Sequence, residues 1–144
     1  GGFDEHFDRM AGEDTDLAFR LRRQGYTLLF EPRARVTHCP PRNRLRQMWA
    51  RFLLFGATYP TLQRLHGDLI GPSVRVTLCR RWPWLALPLA PLLALLDSLG
   101  FYKRSPALLR RYWYALPGIA LARLAWYIGM IFGDAPQIGL GQRR

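Results

Sequence analysis

The sequence is short of the residues that staple small folds together. Its two cysteines, Cys39 and Cys79, form no C-x-x-C pair, so neither a disulfide framework nor a zinc ribbon is indicated, and a reducing compartment is the simpler expectation. The acidic spacing D-x-[DN]-x-[DN]-G is missing as well, which excludes an EF-hand loop. Carboxylates are scarce beyond the first quarter of the chain. Residues 1–38 hold seven of the ten acidic residues and a net charge of −1, while residues 39–144 hold three acidic against fifteen basic residues, a net of +12. A tail of that charge suits nucleic-acid phosphates or an anionic membrane surface, and charge alone does not choose between them.

The residues between the charges do choose. "WPWLALPLAPLLALL" at 82–96 has no polar side chain, and "YWYALPGIALARLAWYIGMIF" at 112–132 is interrupted only by Arg123. About 20 apolar residues cross a bilayer as a helix, and the first run reaches that length if it continues to Tyr102. Pro88 and Pro91 are better tolerated in a membrane helix than in a soluble one. Trp82, Trp84, Tyr102, Tyr112, Trp113 and Tyr114 mark the ends, where amphipathic rings favour the headgroup layer. The reading is therefore membrane rather than nucleic acid, with a small soluble bundle as the plainer alternative. Two helices are expected, as a spanning hairpin or as a re-entrant or interfacial pair. Lys103, Arg104, Arg110 and Arg111 between them favour the cytoplasmic side, which conflicts with a spanning hairpin if the head is cytoplasmic too. Arg123 adds a cost within the second segment, which Asp97 offsets only imperfectly.

The head has a different pattern. "DLAFRLRRQG" puts Leu17, Ala18 and Leu21 on one stripe and stops at Gly25, a short amphipathic helix. "YTLLF" at 26–30 reads as a buried strand and "ARVTH" at 34–38 as a second. This order suggests the edge of an α/β sheet too small to close its own core. "RNRLRQMWARFLLFGATY" at 42–59 has the pattern of a helix lying in the membrane interface.

Three carboxylates, Glu13, Asp14 and Asp16, crowd the start of the first helix. The plain account is that Asp14 or Thr15 caps it and the other acids complement its positive end, at about 0.3–1 kcal/mol each. Their company suggests more: "GGFDEHF", then "GEDTDLAFRLRRQGY", then "FEPRARVTH". These motifs from Gly1 to His38 resemble the second half of the catalytic domain of a family 2 glycosyltransferase. The apolar tail resembles that of some bacterial members, including the mycofactocin glycosyltransferase group.

The resemblance implies a GT-A fold, inverting transfer from a nucleotide-sugar donor to a sugar or lipid-linked acceptor, and a divalent metal, Mg or Mn. It makes Asp14 the catalytic base and Glu13 its acidic neighbour. It places Gly1 and Gly2 in the acceptor loop and His38 near the donor diphosphate or metal. The metal-binding D-x-D of such enzymes is not in this chain, since "DTD" at 14–16 belongs to the E-D motif. The opening "GGFDEHF" reads as the interior of a longer protein, so this polypeptide alone is expected to be inactive. The expected organisation is a catalytic α/β fragment at 1–41, an amphipathic interfacial helix and linker at 42–81, two apolar membrane helices at 82–133 and a tail at 134–144. The protein is expected at the cell membrane with its head in the cytoplasm. A basic membrane-anchor module without chemistry is the alternative.

Overall fold

The computed structural model describes residues 2–4, 7, 11–37, 44–104 and 106–133. It contains six α-helices: α1 (Glu13–Arg23), α2 (Leu45–Ile70), α3 (Val74–Arg81), α4 (Pro83–Arg104), α5 (Pro106–Tyr112) and α6 (Leu116–Phe132), with a 3₁₀ turn at Trp113–Ala115 before α6. There is no strand or sheet among the described residues. This corrects the expected α/β fragment of a GT-A domain: the fold is mainly helical.

The two segments expected as strands explain the error. Residues 26–30 and the described part of 34–38 are not helical, but they pair with nothing in a ladder, and Leu29, Phe30 and Val36 are 87–91% exposed. A strand is stable only when a neighbour takes its backbone N–H and C=O groups and a second layer covers its apolar face. Neither is present among the described residues. Glu31 closes the turn between the segments by accepting the Arg33 N–H at 2.9 Å and, through its carbonyl, the Ala34 N–H at 3.1 Å.

The bundle is organised around α6, which packs against α2 on one side and α4 on the other, with α3 touching α4 and α6. The α2–α6 contact is made by backbones. A Cβ at Gly56 would overlap the Trp126 carbonyl oxygen, and one at Gly129 would overlap the Leu53 carbonyl oxygen. Gly133, one turn after Gly129, meets Ala57 in the same way. "GMIFG" at 129–133 is a small-xxx-small stripe of the kind that lets apolar helices approach closely. Pro60 lacks the N–H that would bond to the Gly56 carbonyl in a regular helix, a local break in α2 at the level of that contact.

On its other side α6 receives a second stripe. Ala86, Ala90, Ala94, Ser98 and Tyr102 recur every fourth residue of α4 and are all buried. The Ala members share a core with Tyr127, Met130, Ile131 and Cys79. Ser98 satisfies its hydroxyl within the helix by donating to the Ala94 carbonyl at 2.7 Å, and Tyr102 ties the end of α4 to α5 by donating to the Tyr112 carbonyl at 2.9 Å. Leu85, Leu87, Leu92, Leu95, Leu96 and Leu99 remain exposed on α4. By length and composition, Pro83–Arg104 and Pro106–Phe132 are two candidates to cross a membrane.

Both Gly56→Val and Gly129→Val are expected to force α2 and α6 apart, because backbone rather than a flexible side chain occupies the space. Each should cost about 1–3 kcal/mol or more, read as a lower midpoint of thermal unfolding in detergent. Gly118→Ala, where an added methyl meets nothing within 4 Å, should be near-neutral in the same assay.

A carboxylate cleft at the start of the first helix

The three carboxylates have three different environments. Helix α1 begins at Glu13, preceded by Gly12 in the left-handed region at φ 95° with no side-chain cap. The expected cap from Asp14 or Thr15 is thus replaced by a glycine, and the reason is packing. A Cβ at Gly12 would lie 3.0 Å from Leu62 Cδ1 and 3.1 Å from Thr58 Cγ2, so the left-handed turn lays the start of α1 directly on α2.

Asp16, one turn in, is completely buried. One oxygen accepts from Arg20 Nε at 2.7 Å and the other bonds His66 Nε2 of α2 at 2.7 Å. His66 is itself buried, at the kink of α2 where its backbone leaves the helical region (φ −129°, ψ 28°). The Phe19 ring packs on the imidazole at 5.0 Å. With Nε2–H donating to Asp16, Nδ1 is left buried with no hydrogen-bond partner among the described residues. Arg20 reaches further, donating from its terminal nitrogen to the Gly2 carbonyl at 2.8 Å. The Asp16 cluster therefore ties together the helix, α2 and the segment leading into α1.

A second tie lies at the other end of α1. The Arg23 guanidinium pairs with both oxygens of Asp68 and donates to the Leu65 carbonyl at 2.8 Å. The hydrogen bond from Arg23 holds the Asp68 carboxyl below its ordinary value.

Asp14 is left exposed. Its Oδ1 accepts the Thr15 N–H at 2.7 Å and the Thr15 hydroxyl at 3.2 Å, and Oδ2 has no partner among the described residues. Asp14 lines a cleft of about 470 Å³ between α1, α2 and α6, whose other walls include Phe55, Thr58, Tyr59 and Trp126. Tyr59 and Trp126 pack on each other with ring centroids 5.1 Å apart. Glu13 is half-buried, and its Oε2 has no hydrogen-bond partner among the described residues. The site thus offers an accessible carboxylate at the first turn of a helix, beside an aromatic and hydroxyl-bearing wall.

Of the expected site residues, Asp14 lines this cleft and Glu13 is its chain neighbour, while Gly2 is joined through Arg20 to the buried Asp16. Gly1 and His38 lie outside the described residues, as does Cys39. Among the described residues no three of His, Cys, Asp and Glu come together to hold a metal ion. The Asp16–His66 pair is the nearest approach to a donor set, and Arg20 already occupies the other Asp16 oxygen. The described residues do not fit a divalent cation. Sequence reasoning missed His66, Tyr59 and Trp126, which come from distant helices. Pro60 and Gly67 were the sequence signals of a break in α2.

Over 74 residues, 51% of its length, the chain is 40% identical to the pre-mycofactocin glycosyltransferase of Mycobacterium tuberculosis, in each of two strains. The chain is similar to part of a glycosyltransferase. The match covers 15% of those relatives' length. No protein-family model matches the chain, and no solved structure matches it.

Removing one partner of the Asp16 cluster leaves buried polar groups without bonds. Asp16→Ala and His66→Ala should each destabilise by about 3–5 kcal/mol, and the double mutant should lose much less than the sum, measured by denaturant unfolding. The Arg23–Asp68 tie has a defined pH sense. Since the folded carboxyl titrates below its ordinary value of 3.8, the contribution is fully present above that pH and is lost as pH falls through the lowered folded value. Asp68→Asn should abolish this part of the acid dependence, followed by circular dichroism between pH 5 and 2.

Proposed function

We propose that this chain is the acceptor-side part of a membrane-associated glycosyltransferase of the family 2 type, with Asp14 as the general base. The observation that carries the reading is the division of labour among the acids: Asp16 is consumed by Arg20 and His66, while Asp14 stays accessible at a cleft. The similarity to a pre-mycofactocin glycosyltransferase supports the same class of reaction.

In this reading a nucleotide-sugar donor is bound by residues elsewhere on a longer polypeptide. An acceptor hydroxyl enters the cleft against Tyr59 and Trp126. Its proton passes to Asp14 Oδ2 as the oxygen attacks the anomeric carbon, and the nucleoside diphosphate leaves from the opposite face with inversion. Thr15 orients the carboxylate by holding Oδ1, so the free oxygen has a defined place. Glu13 acts through its charge beside Asp14. Gly2 belongs to the acceptor loop, positioned by Arg20. Gly1 and His38 are assigned to that loop and to the donor side by the resemblance alone. A divalent metal, if the complete enzyme uses one, takes its ligands from outside the described residues.

The apolar helices support membrane attachment, and the position of α1 bears on how they lie. Asp14 and Trp126 share one cleft, so the charged start of the first helix lies beside α6 at the level of Trp126. Charged groups at that level belong at the water boundary, because burial in hydrocarbon costs about 2.5–3.5 kcal/mol for each charged residue. The proposal is an interfacial or re-entrant pair on the cytoplasmic side, with the exposed leucines of α4 in lipid.

In the complete enzyme, Asp14→Asn should leave folding intact, because the side chain is exposed and is not the cap. It should lower kcat by about 10²–10⁴-fold, and Glu13→Gln should cost less. Near-normal turnover by Asp14→Asn would remove the assignment. For the membrane, Lys103→Cys in a chain with Cys39 and Cys79 replaced should resist an impermeant thiol reagent in sealed cells and react after lysis. Labelling from outside would establish a spanning hairpin instead.

A further inference from the structure

Arg123 is the one charge in the second apolar segment, and its expected counter-ion is taken. Asp97 accepts from Arg75 Nη1 of α3 at 2.8 Å and from the Tyr127 hydroxyl at 2.9 Å, and its side chain is only 9% exposed. Arg123 makes no ion pair among the described residues. Its guanidinium lies 6.0 Å from the centroid of the Trp126 ring. Arg104, at the end of α4, is exposed and likewise without an ion pair among the described residues.

These groups line one cleft of about 440 Å³ between α2, α3, α4 and α6. It holds three guanidinium groups, Arg75, Arg104 and Arg123, against the single carboxylate of Asp97, an excess of two positive charges. Tyr59 and Trp126 form its wall toward the Asp14 cleft, so the two clefts lie back to back across that aromatic pair. Leu96 and Phe101 line its edge and are 53% and 48% exposed. The excess positive charge therefore opens onto the apolar surface of α4.

We infer that this cleft is a binding site for the phosphate group of a lipid, with Arg123 and Arg104 as its ligands, Arg75 held in place by Asp97, and the acyl chains lying along Leu96 and Phe101. Two guanidinium groups without an ion pair among the described residues, beside an apolar surface, suit an anion, and Arg matches phosphate oxygens with paired N–H donors. The combination of charge and apolar edge selects a lipid phosphate over a free one. A purely soluble anion would gain nothing from Leu96 and Phe101. The inference rests on the seating of α4 and α6 in a membrane and is independent of the role of Asp14.

The test uses the purified full chain in a non-ionic detergent, titrated calorimetrically with dihexanoyl phosphatidic acid and, separately, with inorganic phosphate. Phosphatidic acid should bind saturably, one per chain, and at least about tenfold more tightly than inorganic phosphate. Arg123→Gln and Arg104→Gln should each weaken it about tenfold or more, the loss of one charge-assisted hydrogen-bonding partner. Arg46→Gln removes the same charge from the exposed start of α2 and should change affinity less than about twofold. Circular dichroism checks that each variant keeps its helices. If Arg123→Gln does not, Arg104→Gln at the exposed helix end carries the comparison. Equal losses in Arg46→Gln and Arg104→Gln would reduce the effect to diffuse surface charge and overturn the site. Equal affinity for inorganic phosphate would overturn the lipid assignment, and the absence of saturable binding would overturn both. The thiol-labelling experiment reports on membrane seating separately, so failure there is distinguishable from failure here.

Discussion

The contact between the backbones of α2 and α6 is the constraint on which the rest of the structure depends. Gly56 and Gly129 let the two helices meet at distances no side chain would permit. Between apolar helices the drive to associate is dispersion and shape, which fall off steeply with separation. The contact also fixes lateral positions. It brings Tyr59 of α2 against Trp126 of α6, and this ring pair forms a wall of both the carboxylate cleft and the arginine cleft.

The head is attached to that bundle by Phe7, buried with Leu62 and Leu65 of α2, and by close and polar contacts along α1. Gly12 lies flat on Thr58 and Leu62, Asp16 reaches His66, and Arg23 reaches Asp68 and Leu65. Three attachment points along one short helix determine its rotation. With Asp16 turned inward, Asp14, two residues earlier and therefore about 200° around the helix, is turned outward. The accessibility of the proposed base is thus a consequence of burying its neighbour. Of the three acids, one anchors, one is left accessible at the cleft, and Glu13 sits between them.

Charge on the apolar helices follows a similar logic. Asp97 and Arg123 lie in segments that look capable of neutralising one another, yet Asp97 is satisfied by Arg75 and Tyr127. The cation excess left beside the exposed leucines of α4 gives the basic tail a local meaning. Most of its arginines, such as Arg46 and Arg81, are exposed and suited to diffuse attraction toward anionic lipid. Arg104 and Arg123 are different because they converge on one cavity.

The sequence by itself determined α1, the first half of α2, the two apolar helices and the division of charge, while it read the end of α2 and α3 as linker. The reason is that 3.6-residue periodicity, Gly25 as a stop and long unbroken apolar stretches are local properties of the chain. It also singled out Glu13 and Asp14 through a motif. It misjudged 26–30 and the described part of 34–38, because β-branched and aromatic residues report only a capacity for strand, and strand pairing needs a partner. The all-helical architecture of the described residues, the role of Asp16, the use of His66 and the pairing of Asp97 with Arg75 were decided only by the tertiary structure. Each depends on groups from distant parts of the chain: residues 16 and 66 are brought within a hydrogen bond, and so are residues 75 and 97. Such contacts follow from how closely helices can approach, and that distance was set by glycines whose significance appears only when the opposing backbone is in place.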